Sequence, residues 1–475
     1  MFGGKEIKMY KNNIDIAIIG AGPSGMAAAI ELYKQGIHSI KVFERNEKLG
    51  GILNQCIHTG FGIDYYKKEM TGPEYAYKMI KEFSKLNIPY ELNTMVLDIS
   101  KNKKITVSSK KNGIQNYQAR AIIIATGCRE RTRENLEIPG TRPAGVFMAG
   151  QSQNMINLKN YKIGKNVVIQ GSGDIGLIMA RRMTIEGYNV IKVLERLPYL
   201  SGLLRNKVQC LDDFNIPIEF NTQISKIVGK ERVEGVFVKK VDENFNLIDE
   251  TEEFIKCDTV LFSVGLIPEV EVGKTAGVEM INNFHPKVNS KFETNVDGIF
   301  VSGNSLHIHD LADNASLEGE KVSRFVIEYL NNNNEFKKTL TNKIPYRNLK
   351  VNKQFNEKYF SSVGDKLICI ICPRGCIVDE NHYGCERGKV FYENELKGKK
   401  RILTTTIFCE FEGEEQRVPI RSENIIDVKK IPEIKAILRR KKILSDNKFF
   451  IEYDGKEFGF DVYKKVSTNC MNYIK

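Results

Sequence analysis

The sequence predicts an α/β protein with two Rossmann-like nucleotide-binding units, the second inserted into the first, and a small cysteine-rich C-terminal domain. Two observations carry this. A strand, a Gly-x-Gly-x-x-Gly turn, a helix, a second strand and a terminal acid occur twice in that order, with the acid 24 residues after the first glycine in both copies, 20 to 44 and 171 to 195. Four cysteines then fall within 17 residues, from Cys369 to Cys385.

In the first copy, Ile14 to Ile19 is apolar except for Asp15, as expected of a parallel strand buried on both faces. It feeds Gly20-Ala21-Gly22-Pro23-Ser24-Gly25, and Met26 to Tyr33 reads as helix. Gly20 permits the tight turn, Gly22 lets a pyrophosphate approach the backbone, and Gly25 lets the helix pack on the strand with its N-terminus toward the phosphates. Ser39 to Phe43 is the second strand, ending in Glu44, a carboxylate suited to the two hydroxyls of a ribose.

The second copy starts with the strand Asn166 to Gln170 and the turn Gly171-Ser172-Gly173-Asp174-Ile175-Gly176, which opens a helix through Glu186. Val190 to Leu194 leads to Glu195. A carboxylate there repels a 2′-phosphate, which favours NAD over NADP, although Arg196 beside it weakens the preference. Five elements in one order, twice, are far more specific than a lone glycine motif. They imply two bound dinucleotides.

Around these copies lie Arg45 to Gly51, ending in Gly50-Gly51, then Ala121 to Thr126-Gly127, and Thr294 to Gly303-Asn304. With these motifs, residues 13 to 335 resemble the two-dinucleotide flavoproteins called pyridine nucleotide-disulfide oxidoreductases. The resemblance implies FAD on Gly20, Gly22, Gly25, Glu44, Gly51, Val96, Thr126, Gly127, Gly303 and Asn304. It implies NAD(H) on Gly171, Gly173, Asp174, Ile175, Gly176, Glu195 and Gly265. The family carries Gly-Asp where this chain has Gly303-Asn304, and an asparagine there can accept a hydrogen bond from the FAD ribitol without charge. A helix from about Asp313 should aim its N-terminus at the pyrimidine end of the flavin and favour its anionic reduced form.

Disulfide reductases of this family use C-x4-C or C-x2-C against the flavin, and neither spacing occurs before residue 345. The corresponding segment, Gly50 to His58, holds one cysteine. Cys56 activated by His58 would be a peroxide-reactive thiol; the plainer reading is that both line the flavin pocket. Cys128, Cys210, Cys257, Cys409 and Cys470 stand apart and read as small hydrophobes. Gln55 to Gly62, Thr71 to Tyr75 and Gly173 to Arg182 resemble an NAD(FAD)-dependent dehydrogenase subgroup, related to the flavoprotein subunits of cyanide synthase, opine oxidase and sarcosine oxidase. Bacterial members accompany an anaerobic-type glycerol-3-phosphate dehydrogenase. His307 and His309 should pass near the flavin, where packing is their expected role.

The tail reads Cys369-x2-Cys372-x3-Cys376-x8-Cys385, with Pro373 and Gly375 shaping a tight loop. Four soft ligands suit zinc or an iron–sulfur cluster. The spacing departs from paired zinc knuckles, and a neighbouring flavin gives a redox centre a purpose, so [4Fe–4S] is favoured and zinc is the alternative. From about Asp365 to Ile443 the tail resembles a small CPxGC domain of unknown function found beside the same dehydrogenases, and its cysteine loop resembles the cluster-binding start of molybdopterin oxidoreductases. The expected boundaries are 13–150 and 285–340 for FAD, 151–284 for NAD and 345–475 for the cysteine-rich domain.

Length (475 residues) and 41% hydrophobic content fit a three-domain globular chain. Met1 to Asn12 lacks a signal-like apolar core, no apolar run approaches the ~18 residues that span a bilayer, and the ten cysteines fit a reducing, cytoplasmic setting. Any membrane association would be peripheral. The net charge of +12 is spread along the chain, which argues against nucleic acid, and the basic stretch Lys429 to Lys442 reads as a solvated helix face. Together these features predict an FAD-dependent oxidoreductase that exchanges hydride with NAD(H) and passes single electrons through the cluster to or from a partner dehydrogenase. One rival is a stand-alone NADH oxidase or peroxidase using Cys56, with a zinc-stapled tail. Another is a binding protein with a zinc module and a flavin sensor.

Overall fold

The computed structural model describes residues 12–331, 359–360, 363–364, 366–411, 414–440, 442–444 and 448–462. Most of the N-terminal segment, the lysine-rich linker, Lys441 and Cys470 therefore lie outside the described residues.

The first unit is a seven-stranded sheet ordered Tyr90–Glu91, Ile40–Phe43, Asn12–Ile19, Gly113–Ile124, Lys104–Ser109, Thr94–Ile99, with Ile299–Val301 also pairing with Gly113–Ile124. Lys104–Ser109 and Thr94–Ile99 pair antiparallel and the others parallel, and Ile19 aligns with Phe43 on one side and Ile124 on the other. Buried on both faces, Ile16 to Ile19 and Ala121 to Ile124 need no polar alternation, which explains their near-continuous apolar sequence. Helix Pro23–Lys34 packs against helix Ala312–Asn331 so closely that a methyl on Gly319 would meet the Ser24 carbonyl oxygen at 2.2 Å.

The second unit is a five-stranded parallel sheet ordered Val146–Met148, Thr259–Phe262, Asn166–Gln170, Asn189–Leu194, Ile218–Glu219. Helix Asp174–Ile185 packs on it, and an antiparallel meander of Thr222–Val228, Gly235–Lys240 and Glu253–Ile255 follows. Return to the first unit is marked by Leu266–Pro268 pairing antiparallel with Cys128–Glu130.

In the tail, the cysteine loop sits between Leu367–Ile368 and Ile377–Val378, which pair antiparallel. A five-stranded sheet follows, centred on Thr404–Phe411 and Glu414–Ser422 and covered by helix Ile431–Arg440. Ile185 and Phe214 of the second unit pack with this core. In the basic stretch Lys429 and Arg439 are exposed as expected, but Lys435 is not. Lys435 is 1% exposed and lies 2.8 Å from Glu186, because the helix turns that side toward the second unit.

Candidate functional site

The two glycine-rich turns have the same geometry. Gly20 and Gly171 adopt φ of +104° and +101°, and a Cβ on either would strike the carbonyl oxygen of Ala125 or Ser263, at 2.3 and 2.1 Å. Only glycine fits where the turn passes that close to a neighbouring strand end. A Cβ on Gly25 would lie 2.0 Å from the Gly20 oxygen, and one on Gly176 2.7 Å from that of Gly171. Gly22 has nothing within 4 Å. Space is thus left where a pyrophosphate would meet the helix N-terminus, and Gly25 and Gly176 sit behind it.

The terminal acids close the turns. Glu44 accepts from the backbone N–H of Ala21 and of Asn46, both at 2.8 Å. Glu195 accepts from Ser172 N at 2.9 Å, Ser172 Oγ at 2.5 Å, Ser201 Oγ at 2.8 Å and Leu197 N at 2.9 Å. Asp174 accepts from Leu203 N and Asn206 Nδ2, both at 2.7 Å, so the start of one helix anchors the segment leading into the next, Leu204–Cys210.

Both turns open on one cavity of about 2670 Å³, well beyond the ~300–1,000 Å³ of a single small-molecule pocket. Gly20, Gly22, Glu44, Gly51 and Val96 line one part, with Thr126 and Gly127 between the units. Gly171, Gly173, Asp174, Ile175, Glu195 and Gly265 line the other. Gly303 lies just behind the wall, where its N–H donates to Glu318 at 2.7 Å, and Asn304 reaches the surface. The Asn304 amide oxygen accepts from His309 N at 3.0 Å, and its Nδ2 faces Cys128 Sγ at 3.5 Å. Cys128 therefore belongs to the cavity wall. Sequence spacing carried no sign of this, because the contact joins segments 176 residues apart.

Cys56 and His58 also line this cavity. The Cys56 thiol donates to Gln153 Oε1 at 3.5 Å, and its enclosed position pushes it up to about 12. Burial pulls His58 down to about 4, with Arg205 and Arg181 adding to the effect, so at neutral pH it supplies no cation to favour a thiolate. The segment is held in place by Gln55, which donates to the Gly150 oxygen at 2.9 Å and accepts from Asn154 at 3.1 Å. Cys56→Ser is expected to leave flavin reduction by NADH within about twofold, since a thiol this far from ionisation lends no nucleophile. Peroxide-dependent NADH oxidation that vanishes in the variant would contradict this.

The four-cysteine loop, Cys369 to Cys385, packs beside helix Leu204–Cys210. The nine described cysteines are free thiols. Cys369 N–H donates to the Cys376 oxygen at 2.8 Å, and a Cβ on Gly384 would lie 3.4 Å from Cys376 Sγ. Burial raises the Cys369 thiol, and Cys372, Cys376 and Cys385 raise it further, as expected of sulfurs gathered in one place. A Cβ on Gly375 would lie 3.2 Å from Leu204 Cβ, so the loop rests on helix Leu204–Cys210. Arg205 of that helix reaches within 3.1 Å of a Cβ on Gly60, two residues from His58. Leu204 and Arg205 thus lie between Gly375 of the thiol loop and Gly60 of the segment after His58.

The tail is tied to the second unit by buried charge. Glu186 lies 2.5 Å from Arg182, 2.8 Å from Lys435 and 3.4 Å from Arg417. Arg401 pairs with Asp213 at 2.6 Å and with Glu395 at 2.7 Å. Among the described residues, no helix is long and apolar enough to cross a membrane.

Residues 386–448 match a family described as a protein of unknown function (DUF1667), which begins immediately after Cys385. The cysteine loop therefore precedes the matched region. The chain is 23% identical over 314 residues to an opine oxidase subunit of Agrobacterium tumefaciens (strain Ach5), and the match spans 62% of this chain and 61% of that one, about three fifths of its length. It is 26% identical over 329 residues to hydrogen cyanide synthase subunit HcnB of Pseudomonas aeruginosa, across 66% and 68%. Its fold is similar to that of T. acidophilum thioredoxin reductase, with a TM-score of 0.55 at 23% identity, covering 68% of this chain and 99% of that one. Residues 14–319 match the family described as pyridine nucleotide-disulphide oxidoreductase. With that match over both glycine-rich turns and the cavity they share, the chain belongs to this family of FAD-dependent NAD(P)H oxidoreductases.

Proposed function

We propose that the chain is an electron-transfer oxidoreductase with FAD on the Gly20 turn, NAD(H) on the Gly171 turn and a [4Fe–4S] cluster on Cys369, Cys372, Cys376 and Cys385. The observation that carries this reading is the single cavity joining both turns, with the thiol loop packed on helix Leu204–Cys210 of the second unit. When bound, FAD supplies the conversion between a hydride and single electrons.

The protein's part is binding and orientation. Open space at Gly22, toward which a Cβ on Gly51 would come within 3.0 Å of the Gly22 Cα, fits a pyrophosphate against the helix N-terminus. Glu195 places a carboxylate at the ribose end of the second turn, which favours NAD over NADP. One of its four local hydrogen bonds, from Ser201 Oγ, also ties down the segment that leads to helix Leu204–Cys210.

Four thiolates suit a cluster or zinc, and the C-x2-C-x3-C-x8-C spacing, which departs from paired zinc knuckles, favours the cluster. The two named relatives are enzyme subunits, which supports a partner protein. A dehydrogenase oxidising glycerol 3-phosphate is the candidate that the sequence resemblance offers.

A reductive titration tests the reading. Anaerobic dithionite is expected to deliver roughly three electrons per FAD-loaded chain, and roughly two to Cys372→Ser, which keeps FAD because its ligands lie outside both nucleotide turns. Equal uptake by the two proteins would overturn the electron-transfer role of the tail.

A further inference from the structure

His307, His309 and Glu318 form a group that neither the nucleotide turns nor the thiol loop uses. The two histidines lie just beyond the turn Gly303–Ser305, and Glu318 comes from the second turn of helix Ala312–Asn331. One carboxylate oxygen, Oε2, lies 3.5 Å from His307 Nε2 and 3.4 Å from His309 Nε2. The three ligand atoms all fall within 4.8 Å of one another.

We propose that His307, His309 and Glu318 bind a first-row divalent cation, Fe²⁺ or Zn²⁺, on the wall of the dinucleotide cavity. Bonds of ~2.0–2.2 Å to imidazole nitrogen and carboxylate oxygen place neighbouring ligand atoms roughly 3–3.6 Å apart, and both nitrogen–oxygen distances here fall in that range. Two imidazoles and one carboxylate are also the set that holds zinc or non-haem iron while leaving coordination positions open. The carboxylate is held ready, because its other oxygen accepts from Gly303 N at 2.7 Å. The His309 backbone N–H donates to Asn304 Oδ1 at 3.0 Å, which fixes the main chain that carries the ring. Such outer contacts orient ligands before the ion arrives.

The group is enclosed: the side chains of His307, His309 and Glu318 are 4%, 10% and 6% exposed. Its imidazole face nonetheless borders the cavity, with His307, His309 and Asn304 on the lining. A cation there has its open positions toward whatever shares the cavity with the flavin, where it can polarise an oxygen of a bound molecule.

This inference is independent of the proposed electron route. The test uses full-length FAD-loaded protein, stripped with chelator and titrated with Mn²⁺, a hard ion that the thiolates of the tail disfavour. Loss of the free-ion magnetic resonance signal reports binding. Wild type and Cys372→Ser are expected to bind one ion per chain, and His309→Ala to bind at least about a hundredfold more weakly. Glu318→Gln keeps an oxygen for the Gly303 N–H but loses the ligand oxygen, so it should fail in the same way even if His309→Ala disturbs FAD. No Mn²⁺ bound by wild type, or wild-type affinity in either variant, would overturn the proposal.

Discussion

Gly22→Glu is expected to give a folded chain that retains no FAD. No atom lies within 4 Å of a Cβ at Gly22, so the side chain starts in open space. The added carboxylate fills the space in front of helix Pro23–Lys34 and sets a negative charge where a pyrophosphate would sit. A loss of at least ~3 kcal/mol, more than about a hundredfold in affinity, follows from removing the phosphate contacts and adding repulsion. Gly25→Ala provides the contrast: its methyl would lie 2.0 Å from the Gly20 oxygen, so it should damage the fold itself. Flavin absorbance with circular dichroism separates the outcomes. Normal flavin in Gly22→Glu would remove the assignment of FAD to this turn.

Glu186→Ala should cost about 3–5 kcal/mol of stability, because it leaves Arg182, Lys435 and Arg417 buried without their shared anion. Burial alone would raise this carboxyl, but Arg182, Lys435 and Arg417 hold it far below the ordinary range. Its contribution is therefore complete above the unfolded value of ~4.3 and lost as pH falls below it. Lys435 has the opposite balance. Burial pulls it down to about 7, Glu186 opposes, and Arg182 and Arg417 add to the lowering. Between about 7 and the unfolded value of ~10.4 the unfolded chain binds the extra proton, so stability should rise with pH through that window. Lys435→Met should flatten the rise, at the cost of the two buried hydrogen bonds that Lys435 Nζ donates to Thr405 Oγ1 and Thr406 O. Thermal melts of both variants across pH decide this; a melt unchanged by Glu186→Ala would show that the charge cluster does not hold the tail to the second unit.

The parts of this protein set by short-range rules were legible in its sequence. Both parallel strand–turn–helix units announce themselves, because strands buried on two faces must be apolar throughout and the turns admit only glycine at Gly20 and Gly171. Helix Pro23–Lys34 begins three residues earlier than the apolar pattern indicated, since proline and serine suit a first helical turn. What stayed hidden depends on contacts between distant segments. Lys435 sits in a run of cations that reads as solvated, and only the packing of Ile431–Arg440 against Glu186 reveals it as buried. Glu318 lies on a helix face with nothing local to mark it, so its grouping with His307 and His309 shows only once the helix is placed. Cys56 shows the limit from the other side, because its reactivity depends on burial that no spacing encodes.

The most direct measurement is the iron and acid-labile sulfide content of anaerobically purified protein, set against its FAD. A cluster on Cys369, Cys372, Cys376 and Cys385 requires about four sulfides and at least about four irons per FAD, with the sulfide lost in Cys372→Ser. Zinc at about one per chain that disappears in Cys372→Ser, with no sulfide, would contradict the electron-transfer reading, and would make the thiol loop a structural clasp on helix Leu204–Cys210.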